Sequence, residues 1–152
     1  MTSREIISKY KADKDQLLMI LHEVQNNHPQ SYISEEDIIL IAKHLNTTKA
    51  AVYGVVEYYS MFSSKPRGKH IIRVCKSPMC RMLGSADVLT FLQQELGVPV
   101  NHTSSDGMFT LELSECLGHC DKAPVMMIDE YLYSRLSEAK IRHSLDYFRT
   151  KP

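Results

Sequence analysis

Four cysteines, the only ones in the chain, fall into two pairs: Cys75 and Cys80 with four residues between them, and Cys116 and Cys120 with three. Each pair follows a short run of strand-forming residues and opens into a loop that carries a glycine. Two thiol pairs on neighbouring loops can converge on one point. Four converging thiolates are soft anionic ligands, suited to an iron–sulfur cluster or to zinc. Spacing separates these two. A structural zinc ion holds both sulfurs of a pair at about 2.3 Å, which favours tight two-residue knuckles. A [2Fe–2S] rhombus is larger and takes one iron per pair, so wider loops are natural, and a four-residue gap also occurs in plant-type ferredoxins. The order of preference is therefore iron–sulfur cluster, then zinc. Disulfides or unlinked core thiols come third. Free cysteine packs well as a small hydrophobe, but that reading explains neither the pairing nor the loops.

The elements that must position these loops can be read from periodicity. Residues 13–27 form an amphipathic helix on Leu17, Ile20, Leu21 and Val24, stopped by Pro29. Ser34 before Glu35-Glu36-Asp37 is an N-cap for a second helix carrying Ile38, Ile41, Ala42 and Leu45. Thr47 or Thr48 caps a third, from about Lys49 to Tyr59. Residues 60–69 are a polar connector with turn residues Pro66 and Gly68, and its charges Lys65, Arg67 and Lys69 are read as a solvated loop. From His70 the character changes. A β-rich run ends at Cys75, and Ser85 caps a helix over 86–96. A short strand lies within 98–103. Phe109–Leu113 alternates as a half-buried strand, Val125–Ile128 is a continuous apolar strand, and Asp129-Glu130 turns into Tyr131–Tyr133. Ser137 caps a last helix to about Phe148. The expectation is a small N-terminal helical bundle, residues 1–65, followed by an α/β domain, residues 66–152. Both cysteine pairs leave the sheet at strand ends, where open α/β sheets place their ligands.

The totals and the absences bound the function. With 152 residues the chain fits one ordinary domain with a small satellite. Lys+Arg and Asp+Glu are both 18, which gives no electrostatic footprint for nucleic acid. Apolar runs are too short to span a bilayer, and no signal-peptide core precedes Glu5, so a cytoplasmic, reducing location is expected. No two of the six glycines make a G-x-G, which excludes a dinucleotide fingerprint and a P-loop. C-x-x-C and H-E-x-x-H are absent. His119, beside Cys120, is read as a loop residue.

Beyond the cysteines, Val52-Tyr53-Gly54-Val55, Tyr59-Ser60-Met61-Phe62, Lys65-Pro66-Arg67-Gly68-Lys69-His70, Ile72-Arg73-Val74-Cys75, Glu115-Cys116-Leu117-Gly118 and Ala123-Pro124-Val125 follow in order. Together they resemble the thioredoxin-like [2Fe–2S] ferredoxin family. That family comprises the 24-kDa subunit of NADH:quinone oxidoreductase and small subunits of NAD-linked hydrogenases, formate dehydrogenases and electron-bifurcating complexes. The resemblance covers nearly the whole chain. It implies a thioredoxin-like [2Fe–2S] domain behind a helical bundle, with the cluster held by Cys75, Cys80, Cys116 and Cys120. It also implies a partner that binds FMN and NAD(H) and carries a [4Fe–4S] cluster, with further iron–sulfur subunits. The chain departs from the family pattern in the first cysteine loop (Lys76, Ser77, Pro78, Met79) and at Arg81 and Asp121-Lys122, without losing a ligand.

A hydride carries two electrons and a [2Fe–2S] cluster takes one, so a flavin must stand between NAD(H) and this chain. The chain is then a non-catalytic, one-electron carrier, with no catalytic residue of its own. Lys76 and Arg81 are expected to raise the cluster potential, since positive charge favours the more negative reduced state. Met126 and Met127 are read as core. Tyr58, Tyr59 and Phe62 are core or partner interface. Two other classes stay open at this point: a zinc-stabilised thioredoxin-like adaptor without redox activity, and a thiol–disulfide sensor.

Overall fold

The computed structural model describes residues 1–150, which divide into two compact units, Met1–Pro66 and Arg67 onward.

The first unit is helical. Helix α1 (Ser3–Ser8) is followed by a single 3-10 turn (Lys14–Gln16), α2 (Leu17–Asn27), α3 (Glu35–His44) and α4 (Lys49–Tyr58). Sequence periodicity places α3 and α4 within a residue or two, starts α2 four residues early by running it through the 3-10 turn, and misses α1. Its start is nevertheless written in Thr2-Ser3-Arg4-Glu5, because Thr2 and Glu5 cap each other's backbone. The same reciprocal arrangement opens α3, where Ser34 Oγ accepts from the Asp37 N–H at 3.2 Å and Asp37 Oδ2 accepts from the Ser34 N–H at 3.0 Å. Thr48, not Thr47, caps α4. The apolar faces meet in a core that includes Ile6, Ile20, Leu21, Ile41, Val52 and Phe62. Phe62 is therefore core, whereas Tyr58 is 82% exposed.

The second unit is a five-stranded sheet. Its strands are β1 (His70–Cys75), β2 (His102–Thr103), β3 (Phe109–Ser114), β4 (Val125–Ile128) and β5 (Tyr131–Ser134), ordered β2-β3-β1-β4-β5. The β1 and β3 strands run parallel and the other pairings are antiparallel. Helices α5 (Pro78–Met82) and α6 (Ser85–Leu96) lie between β1 and β2, and α7 (Glu138–Thr150) closes the unit. Strand side chains alternate between faces. Ile72, Val74, Leu111 and Met126 therefore share one face, where Leu92 of α6 and Phe148 of α7 join them in the core. Each such side chain removed from water contributes on the order of 1.5–3 kcal/mol.

Four expectations change. Ser85 does not cap α6; Gly84 does, in a left-handed conformation (φ 100°) that an L side chain rarely adopts, and Ser85 is the buried first helical residue. The second strand shrinks to two residues. The connector is not simply a solvated loop, because Arg67 is only 4% exposed. Its side chain turns inward to Glu112 on β3. The backbone follows: the Gly68 N–H donates to Thr110 Oγ1 at 2.7 Å, and a Cβ at Gly68 would lie 2.9 Å from the Gly107 carbonyl oxygen. Only glycine allows that approach. For the same reason β3 is not half-buried. Thr110 and Glu112, which alternation places on a wet face, are 4% and 8% exposed.

Candidate metal centre

Cys75 is the last residue of β1, and its register partner is Ser114, the last residue of β3. Two parallel strands thus end at one level, and the second pair begins two residues past that end, at Cys116. Between Cys75 and Cys80 the chain forms α5, a helix where sequence periodicity shows only a loop. Ser77 stands as its N-cap and Pro78 opens its first turn, a starting signal that Ser-Pro does carry. Cys80 is thereby turned inward and packs with Cys75 and Val125 in a small satellite core that Leu117 and Ala123 complete. Cys120 begins a 3-10 turn, Cys120–Lys122, that leads into β4.

All four cysteines are free thiols, and the two pairs differ in setting. Cys75 and Cys80 are buried, Cys116 is exposed and Cys120 is half-exposed. Cys116 Sγ and Cys120 Sγ are 3.5 Å apart. Among the described residues, no group of three or more His, Cys, Asp and Glu side chains gathers closely enough to hold one metal ion. The thiols are grouped two and two.

Their acidities are also uneven. Burial pushes the Cys75 thiol up. The Ser77 hydroxyl, 3.3 Å away, and the backbone N–H groups of Ser77 and Leu117 outweigh it, so Cys75 ends below its ordinary value. Burial pushes Cys80 up, and the neighbouring Cys75 adds to it. Cys120 is raised by Cys116 beside it first, then by burial and, more weakly, by Cys80 and Cys75. The Gly118 N–H donates to Cys116 Sγ at 3.4 Å.

Ser77 lies against the candidate ligand Cys75, a contact that the spacing of the cysteines does not reveal. His119 remains a loop residue, its Nδ1 3.1 Å from the Leu117 carbonyl oxygen. Lys76 does not carry its charge alone, since its ammonium lies 2.7 Å from Glu115 Oε1. Arg81 is exposed on α5. Met126 is fully buried in the sheet core, and Met127 is half-buried.

A family model described as thioredoxin-like [2Fe–2S] ferredoxin matches residues 3–149. The chain belongs to the thioredoxin-like [2Fe–2S] ferredoxin family. Its relatives include E-type chains of NADH-quinone oxidoreductase. The one from Mycobacterium tuberculosis is 32% identical over 97% of this chain and 58% of the relative. The one from Aquifex aeolicus is 32% identical over 95% of this chain and 89% of the relative. The HndA chain of the NADP-reducing hydrogenase of Solidesulfovibrio fructosivorans is 28% identical over 93% and 81%. The chain thus spans little more than half the length of the mycobacterial relatives. The fold is shared with a chain in the crystal structure of NAD+-reducing [NiFe]-hydrogenase in the H2-reduced state. There the TM-score is 0.75 at 17% identity, covering 90% of this chain and 23% of that one.

The cofactor of the thioredoxin-like [2Fe–2S] ferredoxin family is a [2Fe–2S] cluster, and the donor set fits it. Four thiols stand two and two at one edge of a sheet, with the Ser77 hydroxyl beside the Cys75 sulfur and the Gly118 N–H donating to the Cys116 sulfur. Such donors favour the thiolate form that ligates metal. No helix among the described residues is long and apolar enough to cross a membrane.

Proposed function

We propose that this chain is the electron-transfer subunit of a multi-subunit NAD-linked oxidoreductase. In this reading Cys75, Cys80, Cys116 and Cys120 hold one [2Fe–2S] cluster, and a partner subunit binds flavin and NAD(H) and carries a [4Fe–4S] cluster. Cys75 and Cys80 hold the cluster's buried side, and Cys116 and Cys120 its solvent side. The cluster supplies one-electron acceptance, which a flavin can feed and a hydride cannot. The chain itself orients sulfur. Ser77 and the Leu117 amide stabilise Cys75 as thiolate, the Gly118 amide does the same for Cys116, and Val125 and Leu117 keep water from the buried pair. In this reading the chain is a one-electron carrier and the flavin chemistry belongs to the partner. A reducing, cytoplasmic location goes with four free thiols.

The observation that supports this reading most is the two-and-two arrangement of thiols at the shared end of β1 and β3. The relatives' membership of NADH-quinone oxidoreductase and NADP-reducing hydrogenase adds to it. The test is anaerobic purification of the tagged chain with whatever accompanies it. A red-brown preparation is expected, with two irons per chain, an EPR signal on one-electron reduction, and a co-purifying flavoprotein. Colourless material filled with zinc would replace this reading by a structural adaptor.

A further inference from the structure

We propose that Arg67, Glu112 and Arg73 form a charged support behind Cys75, in which Arg73, left with only a share of one carboxylate, favours the reduced state of the cluster. This deepens the proposed function and rests on it. Arg73 and Glu112 are register partners on β1 and β3, two residues before the Cys75–Ser114 pair along the same face. Residues two apart on a strand point to the same side, and their Cα atoms are separated by about 6.6 Å. The Arg73 side chain therefore leaves the sheet beside Cys75, on the face opposite the helices. Arg67 reaches that face from the strap before β1, with its Nε 2.6 Å from Glu112 Oε1. Arg73 Nε lies 3.3 Å from Glu112 Oε2.

Two guanidiniums here share one carboxylate, and Arg67 holds it the more closely. Arginine stays protonated in proteins, so Arg73 keeps positive charge that Glu112 does not match. It is sheltered, with the Arg67, Glu112 and Arg73 side chains 2%, 11% and 22% exposed. Salt screens such a charge far less than it screens a surface one. Lys76, nearer in sequence to the thiols, is matched by Glu115 and exposed.

Stability alone gives the arrangement little reason to exist. A buried ion group often contributes no more than apolar residues of the same volume. The Nε atoms of Arg67 and Arg73 and Glu112 Oε2 are all buried and not aligned as hydrogen bonds despite these separations. What the triad does provide is a fixed field. One-electron reduction, from the partner's flavin in the complex or from dithionite in a cuvette, adds one negative charge at the cysteines and needs no proton. A positive charge held close by in a poorly screened site opposes its loss.

The test is an EPR-monitored redox titration of the purified, cluster-bearing chain. Arg73→Met leaves the closer Arg67–Glu112 pair in place and removes the charge that Glu112 does not match. Its reduction constant should fall roughly threefold to tenfold, a lowering of the midpoint by ~30–60 mV at 59 mV per decade for one electron. Arg73→Lys keeps the charge and should titrate with the parent protein. Glu112→Gln, whether or not it lowers the melting temperature, should move the midpoint upward. Opposite shifts in Arg73→Met and Glu112→Gln, with Arg73→Lys unmoved, are the signature of a field. Equal midpoints in all of them, or shifts of the same sign, overturn the inference while leaving the cluster reading intact. A parent chain without a [2Fe–2S] signal would remove that reading and this inference with it.

Discussion

Cys75 and Ser114 are register partners, the last residues of two parallel, adjacent strands. Because β1 and β3 end together, the chain leaves both at one height, and each cysteine pair starts from the same edge. A crossover of two helices and a short edge strand lies between them in sequence. The register is thus what starts both pairs from one edge of the sheet. A shift by one residue would turn Cys75 to the helix-covered face.

Ser77 is the first place to test how that edge works. Its hydroxyl is 3.3 Å from Cys75 Sγ and is one of the groups holding this thiol below its ordinary value. Groups that orient a metal ligand typically account for a 10–100-fold change in metal affinity. Ser77→Ala should therefore keep the fold and shorten cluster lifetime against a chelator about tenfold or more, followed as the decay of visible absorption. A lifetime equal to the parent's would mean that backbone amides alone set the Cys75 sulfur.

Two glycines should respond to alanine with opposite signs. At Gly68 a Cβ would press to 2.9 Å from the Gly107 carbonyl oxygen and 3.0 Å from Thr103 Cγ2. Overpacking of this kind costs about 1–3 kcal/mol, and the strap carrying Arg67 should shift with it. Gly54 sits inside α4 with nothing within 4 Å of an added Cβ. There alanine should stabilise by roughly 0.4–1 kcal/mol, through the entropy that glycine loses on entering a helix. Urea unfolding of each variant measures both. A destabilised Gly54→Ala would show that this open side of α4 is covered in solution.

Lys76 and Glu115 form an exposed pair, 2.7 Å apart, beside the candidate ligands Cys75 and Cys116. Each charge alone would act on the cluster and together they nearly cancel. Lys76→Ala should lower the midpoint slightly and Glu115→Ala raise it. The double variant should return close to the parent. Because both groups are exposed, high salt should compress all three differences. A redox titration at low and high ionic strength reads the cycle, and a double variant far from the parent value would show that the pair acts through structure instead of charge.

The parts of this molecule that are legible in the sequence are those where a local pattern repeats. Leu17, Ile20, Leu21 and Val24 announce α2 by spacing, and the cysteine pairs announce a soft-ligand site by type and interval. The parts that escape depend on partners distant in sequence. Arg67, in a stretch of Lys, Pro and Gly, has the composition of a loop, and its inward turn to Glu112, far along the chain, is invisible locally. Glu112 alternates with Leu111 and Leu113 as a solvent-facing residue does. Nothing local says that a strap with an arginine will cover it. Helix α5 is hidden for another reason: five residues are too few for periodicity, and the Ser77-Pro78 start signal is the only clue.

Acid and alkali should both loosen the helical unit through one contact. Tyr10 Oη donates to Glu23 Oε2 at 2.6 Å, and Lys9 Nζ donates to Glu23 Oε1 at 2.9 Å. The Tyr10 hydroxyl first, and Lys9 with it, hold the Glu23 carboxyl below its ordinary value. The same contact raises the Tyr10 phenol. A depressed carboxyl contributes stability above its unfolded pKa, about 4.3, and loses it as pH falls through the lower folded value. A raised phenol contributes below its unfolded pKa, about 10, and loses that contribution as pH rises through the higher folded value. Melting temperature against pH should therefore show a plateau that Glu23→Gln lowers in the middle and leaves nearly unchanged at the acid end. Tyr10→Phe should remove the alkaline part of the decline as well as weakening the plateau. Variant and parent curves that stay parallel down to the lowest pH would mean that the ion-paired carboxylate contributes nothing and that any loss on substitution comes from packing.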